Sequence, residues 1–152
     1  METNDQAVLA IRRHHAALLA GLRKSSEDLL DASADGDSVD QARGAMLIYL
    51  ADEILPHAEA EETTLYQRGH TIADLTLLLD AMVAEHGHLR ALTNDLETQK
   101  SPQRAAAIGF TITELFALHA DKENDLLVPR LAREPGVRVQ DLLGEMHHLL
   151  EG

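Results

Sequence analysis

Apolar residues recur at helical spacing along four long stretches of this chain, and nowhere do they alternate as a half-buried strand requires. That period commits the chain to an all-α fold. The first stretch covers about residues 4–31, with Val8, Ile11, Leu18 and Leu22 on one face and Thr3 and Gln6 spaced as a capping box. A small, polar run around Gly36 breaks it. The second opens with Ser38 and Gln41 at the same spacing, carries Leu47, Ala51, Ile54, Ala58 and Leu65, and ends at Gly69. Pro56 lies inside it; lacking an N–H, it costs the bond to the Asp52 carbonyl and predicts a kink before His57.

The third stretch follows Thr71 with Leu75, Leu79, Met82, Val83 and Leu89 inward, and fades near Gln99. Ser101 followed by Pro102 is a strong restart, an N-cap before proline at the first helical position. The fourth stretch carries Ile108, Ile112, Leu115, Phe116 and Leu126, with Pro129 in its last turn. A turn at Glu134, Pro135 and Gly136 leads to a short fifth helix over about 138–150. Short connections between long helices favour antiparallel neighbours. The expectation is an antiparallel up-down-up-down four-helix bundle over about residues 4–132 with a C-terminal fifth helix, one domain spanning 1–152.

Composition narrows the chemistry. There is no cysteine, so thiolate sites, disulfides and cysteine-held iron–sulfur clusters are excluded, and any metal must sit on nitrogen and oxygen. Acidic side chains outnumber basic ones 26 to 13, which repels nucleic acid and anionic lipid. The N-terminal run from Met1 to Gln6 is polar, and no stretch approaches the roughly 18 apolar residues of a membrane span. A cytoplasmic protein without nucleic-acid or membrane partners is expected.

Nine histidines are the unusual feature, and their placement matters more than their number. At about 100° per residue, His15 falls within the Ile11, Leu18 and Leu22 stripe. His86 falls beside Met82 and Leu79, and His119 with Glu123 joins Ile112 and Leu115. Glu61 aligns with Ala58 and Leu65, while His57 sits at the stripe's edge, where the Pro56 kink can turn it inward. Residues four apart share a helical face, so His57 with Glu61, and His119 with Glu123, have chelate spacing. A lone histidine on an apolar stripe is most often a hydrogen-bonded core residue. Six such groups on four helices, with a repeated His-x-x-x-Glu, need the compensation a metal centre gives.

On His15, His57-x-x-x-Glu61-Glu62-x-x-Leu65-Tyr66, Glu85-His86-x-x-Leu89 and His119-x-x-x-Glu123, the chain resembles the hemerythrin family, in particular bacterial proteins with the HHE cation-binding domain. The resemblance implies a four-helix bundle around two non-haem iron ions, bridged by carboxylates and an oxo or hydroxo group. By position, His15 and His57 would hold one iron and His86 and His119 the other, with Glu61 and Glu123 bridging. Oxygen-carrying members have a further histidine on the third helix; here the turns flanking His86 hold Met82 and Arg90, leaving one iron a ligand short.

Four imidazoles, two bridging carboxylates and a solvent bridge fill about ten of roughly twelve positions on two six-coordinate ions. The open positions admit oxygen, peroxide or nitric oxide. Binding or sensing such a ligand is the expected role. An enzyme decomposing peroxide or handling nitric oxide, an iron store, and a zinc-filled structural bundle are the alternatives.

Other features are read more plainly. His14 and His88 point away from the core stripes and are surface residues, and His70, His147 and His148 are solvated. Asp31-x-Ser33-x-Asp35-Gly36 is no calcium loop, because its twelfth position is Ala42. Glu59 and Glu62 are read as solvated helix charges, Tyr66 as packing, and Glu85, beside His86, as part of an exposed face rather than as a support that orients a ligand histidine.

Overall fold

The computed structural model describes residues 3–152; Met1 and Glu2, the start of the polar N-terminal run, lie outside the described residues. Among those described, helices joined by short turns account for nearly everything and no strand occurs. Helix α1 (Asn4–Ala34) opens with the expected capping box: Thr3 accepts from the Gln6 N–H, and the Gln6 side chain accepts from the Thr3 N–H. The next helical body is built in pieces: α2 (Asp40–Tyr49), a π turn (Leu50–Ile54), α3 (Leu55–Thr63), then α4 (Leu65–Gly69). Ser38 accepts from the Asp40 N–H at 3.3 Å, but Val39 is the residue preceding the helix, so the second capping box does not form.

A 3-10 turn (Ala73–Leu75) leads into α5 (Thr76–Thr98). Ser101 caps α6 (Pro102–Lys122), which passes through a second π turn (Glu123–Leu127) into α7 (Val128–Arg133); α8 (Val139–Glu151) closes the chain. None of these helices is long and apolar enough to cross a membrane.

Both π turns stand two residues before a proline, Pro56 and Pro129. Proline in an α-helix clashes with the carbonyl four residues back and leaves it unbonded. One extra residue in the preceding turn moves that carbonyl aside, and the bond runs five residues back, from the Leu55 N–H to Leu50 and from the Val128 N–H to Glu123. The helices therefore continue past both prolines. The extra residue also shifts the stripe: Leu127 is buried, and Leu126, expected inward, is half exposed. Val83, expected inward, and Ala51, expected in the second stripe, are exposed too.

The apolar core forms two clusters. One gathers Ala7 and Ile11 of α1, Leu65 of α4, Leu79 and Met82 of α5, and Leu127 and Leu131, with α8 covering it through Leu143 and Met146. The other gathers Leu18 and Leu22 of α1, Met46, Leu50 and Ile54, Leu89 and Leu96 of α5, and Ile112 and Phe116 of α6. Each buried leucine contributes roughly 1.5–3 kcal/mol. Between the clusters, on every long helical body, lies a polar level.

Candidate metal centre

The polar level consists of His15, His57, Glu61, His86, His119 and Glu123, and every one of these side chains is at most 3% exposed. The structure thus brings together all six residues singled out by sequence. Helix α1 supplies His15, α3 supplies His57 and Glu61, α5 supplies His86, α6 supplies His119, and Glu123 opens the second π turn.

Ligand atoms of His15, His57 and Glu61 lie within 4.8 Å of one another, and so do those of Glu61, His86 and His119. Glu61 is common to both groups. Glu123 Oε1 stands 3.2 Å from His119 Nε2 and 3.7 Å from His15 Nε2, so it also spans the two halves.

His86 Nε2 and His119 Nε2 meet at 2.9 Å, but on the other side of the ring the atoms face one another without satisfying one another. His15 Nε2, His57 Nε2 and Glu61 Oε2 are buried with no hydrogen-bond partner. His57 Nε2 is 2.5 Å from Glu61 Oε1 yet off the line of a hydrogen bond. A buried polar atom left unpaired costs about 1–3 kcal/mol. Donor atoms aimed at a common point and missing one another are what a bound cation would satisfy, and nitrogen with oxygen suits a divalent transition metal.

Behind the ring lie supports that the sequence reading placed elsewhere. Glu62, expected to be solvated, accepts from His86 Nδ1 at 2.9 Å and faces Arg90 at 3.4 Å. Glu85, expected on an exposed face, is 3.4 Å from His119 Nδ1 and is paired with Lys122. Asn124 Oδ1 meets His15 Nδ1 at 2.7 Å. The second π turn sets this contact, since Asn124 lies within it and its carbonyl and neighbour Asp125 are held by Arg12 at 2.9 and 2.7 Å. The cationic neighbours Arg90 and Lys122 were the available sequence signal for Glu62 and Glu85.

Tyr66 is the largest correction, because it is not packing alone. Its hydroxyl donates to Glu123 Oε2 at 3.0 Å and lies 2.9 Å from His119 Nε2 and 3.4 Å from His86 Nε2. Regular helical spacing sets Tyr66 some 140° from Glu61. The helix breaks at Thr64, whose φ of −123° and ψ of −85° are not helical, and α4 restarts with Tyr66 turned inward. His14, His70 and His88 are exposed as expected, although the His14 ring lies 4.9 Å from that of His57.

Burial and charge set the protonation states. Burial lowers His15, and it lowers His119 to about 4, leaving both neutral and able to donate a lone pair at neutral pH. Burial pushes the Glu61 carboxyl up, but the His57, His15 and His119 imidazoles around it together outweigh that and hold it at about 2. Tyr66 is pushed up by burial and by the Glu61 and Glu85 charges, so it stays a neutral phenol.

Neither a curated protein nor a solved structure matches the chain. A family model, the hemerythrin HHE cation-binding domain, matches residues 6–131 and so takes in every residue of the centre. The chain belongs to the hemerythrin HHE cation-binding domain family.

Proposed function

We propose that this chain is a non-haem di-iron protein of the hemerythrin type, binding or sensing a small ligand such as oxygen, peroxide or nitric oxide in the bundle core of a cytoplasmic protein. One observation carries the reading: four imidazoles and two carboxylates from separate helices converge, and His15 Nε2, His57 Nε2 and Glu61 Oε2 among their inward atoms are buried and unpaired. In this reading His15 and His57 hold one iron and His86 and His119 the other, with Glu61 and Glu123 between them.

The up-down-up-down topology belongs to the same proposal. Along α1 and α5 the chain passes from the Leu79 cluster to the Leu89 cluster, and along α2–α3 and α6–α7 it passes back, which supports alternating directions.

Bound here, the iron pair would supply a redox-active, Lewis-acidic centre. The residues around it fix its surroundings. Glu62, Glu85 and Asn124 orient three of the rings through Nδ1, and Tyr66 keeps a proton at its hydroxyl oxygen beside Glu123. That buried hydroxyl also favours a second reading, an enzyme that decomposes peroxide, because a hydrogen-bond donor beside the centre can hold an oxygen ligand there.

The test is a metal count and a visible spectrum on protein from iron-supplemented cells, before and after oxygen, peroxide or nitric oxide. About two irons per chain with a ligand-sensitive charge-transfer band is expected, and gas evolution from peroxide favours the enzyme. Replacing His57 and His119 together by alanine abolishes binding; unchanged iron content in that variant removes the proposal. Colourless protein that retains only zinc from iron-rich cells also counts against it.

A further inference from the structure

The four core histidines turn Nε2 inward, and what holds their outer edges divides them into two pairs. His86 and His119 each set Nδ1 against a carboxylate, Glu62 at 2.9 Å and Glu85 at 3.4 Å. Both carboxylates are anchored from outside, Glu62 by Arg90 at 3.4 Å and Glu85 by Lys122. His15 has only the neutral amide of Asn124, at 2.7 Å. His57 Nδ1 is buried with no hydrogen-bond partner.

The inner edges divide in the same way. His86 Nε2 and His119 Nε2 stand 2.9 Å apart. Two nitrogens about 2.1 Å from one ion and at right angles to each other lie about 3 Å apart, so this pair already has the spacing of neighbouring ligands. The His15 and His57 rings meet edge to face with centroids 5.3 Å apart, against 4.5 Å for His86 and His119. Glu61 belongs to both groups and does not separate them. Glu123 leans to the second pair, its Oε1 being 3.2 Å from His119 Nε2 and 3.7 Å from His15 Nε2.

A carboxylate that accepts the Nδ1–H of a ligand histidine fixes the ring and makes Nε2 a stronger donor, whereas an amide fixes the ring without adding charge. Each such partner changes metal affinity about 10–100-fold. We propose that the two metal positions are unequal and fill in order: the His86–His119 position takes the first ion, and the His15–His57 position takes the second and gives it up first. Between the two affinities the chain carries a single ion. The inference rests on the di-iron reading and adds to it which half of the centre exchanges.

Two cations side by side repel each other, so such a pair fills in two steps even where the positions are equal. What discriminates is the half that fills at the first step. Metal-free full-length chain carrying ¹⁵N-labelled histidine is titrated with Zn²⁺, and the ring nitrogens are followed by NMR. At one equivalent the Nε2 signals of His86 and His119 move to metal-bound positions, and those of His15 and His57 follow only with the second. All four moving together, or His15 and His57 moving first, overturns the order and leaves the di-iron reading intact. A chain that takes up neither Zn²⁺ nor Fe²⁺ ends both.

A second measurement tests the cause. Asn124→Asp puts a carboxylate behind His15 in a side chain of nearly the same shape, with Arg12 already bonded to the carbonyl of that residue as counter-charge. In chelator competition the second step tightens at least about tenfold and the first does not move. Glu62→Gln does the reverse and weakens the first step alone. A second step that fails to tighten overturns the proposal, and so does an equal change in both steps, which a general loosening of the fold would give.

Discussion

Glu62 and Glu85 show how much a single side chain can contribute without touching the metal position. Each carboxylate takes the Nδ1 edge of a buried histidine and is itself held by a cation, Arg90 or Lys122. A carboxylate there fixes the ring and raises the basicity of Nε2, and losing such a partner typically lowers metal affinity about 10–100-fold. Glu62→Gln and Glu85→Gln are expected to weaken metal binding to that extent in chelator competition, with the metal count at saturation unchanged. A variant that binds as tightly as wild type would show the contacts to be incidental. Tyr66→Phe removes the donor to Glu123 Oε2, leaving a buried acceptor unpaired. The metal-free variant should lose about 1–3 kcal/mol in urea denaturation; no loss would mean that the phenol does not satisfy the carboxylate.

At the scale of elements, legibility followed regularity. Where helices keep one period from cap to end, as α1 does from Thr3 past His15, sequence alone gave the facing residues. It failed where a helix changes its own geometry. The second π turn carried Leu126 outward and Leu127 inward, and the break at Thr64 brought Tyr66 into the centre. A fixed 100° step has no place for an inserted residue or a restart, and Pro56 and Pro129 read as a kink and a last turn, not as signs of π turns upstream. Glu62 and Glu85 were missed for another reason: they sit at stripe edges, and only long side chains reaching sideways bring them to the rings.

Short elements also depend on close approach. A Cβ on Gly69, at the end of α4, would lie 2.7 Å from Cδ1 of Leu79, so that fully buried side chain must shift to admit it. Gly69→Ala is therefore expected to cost about 1–3 kcal/mol by overpacking, measured as a lower denaturant midpoint. A gain in stability would show that α4 can shift to make room.

For the molecule as a whole, the polar level between two apolar clusters makes stability depend on pH in a definite direction. Burial holds His119 at about 4 against an ordinary 6.5, and it lowers His15 as well. Between these values the unfolded chain binds more protons than the folded one, so acid favours unfolding. From His119 alone the loss on going from pH 7 to pH 4 is on the order of 3 kcal/mol. Glu61 adds to it at lower pH. Its carboxyl is held at about 2 against 4.5, so its contribution is whole above 4.5 and is lost as the pH falls toward 2. The formal charge of −13 at neutral pH acts oppositely, because protonating surface carboxylates relieves repulsion. Salt separates the two: it screens the surface and leaves the buried ring almost untouched. The Tm of the metal-free chain should therefore fall steadily between pH 6.5 and 4, and do so in high salt as well as low. A flat profile over that window in high salt would mean that the histidines are not desolvated as the packing implies. Metal-loaded protein should release its ions over the same range, since a proton and a metal compete for the same lone pairs.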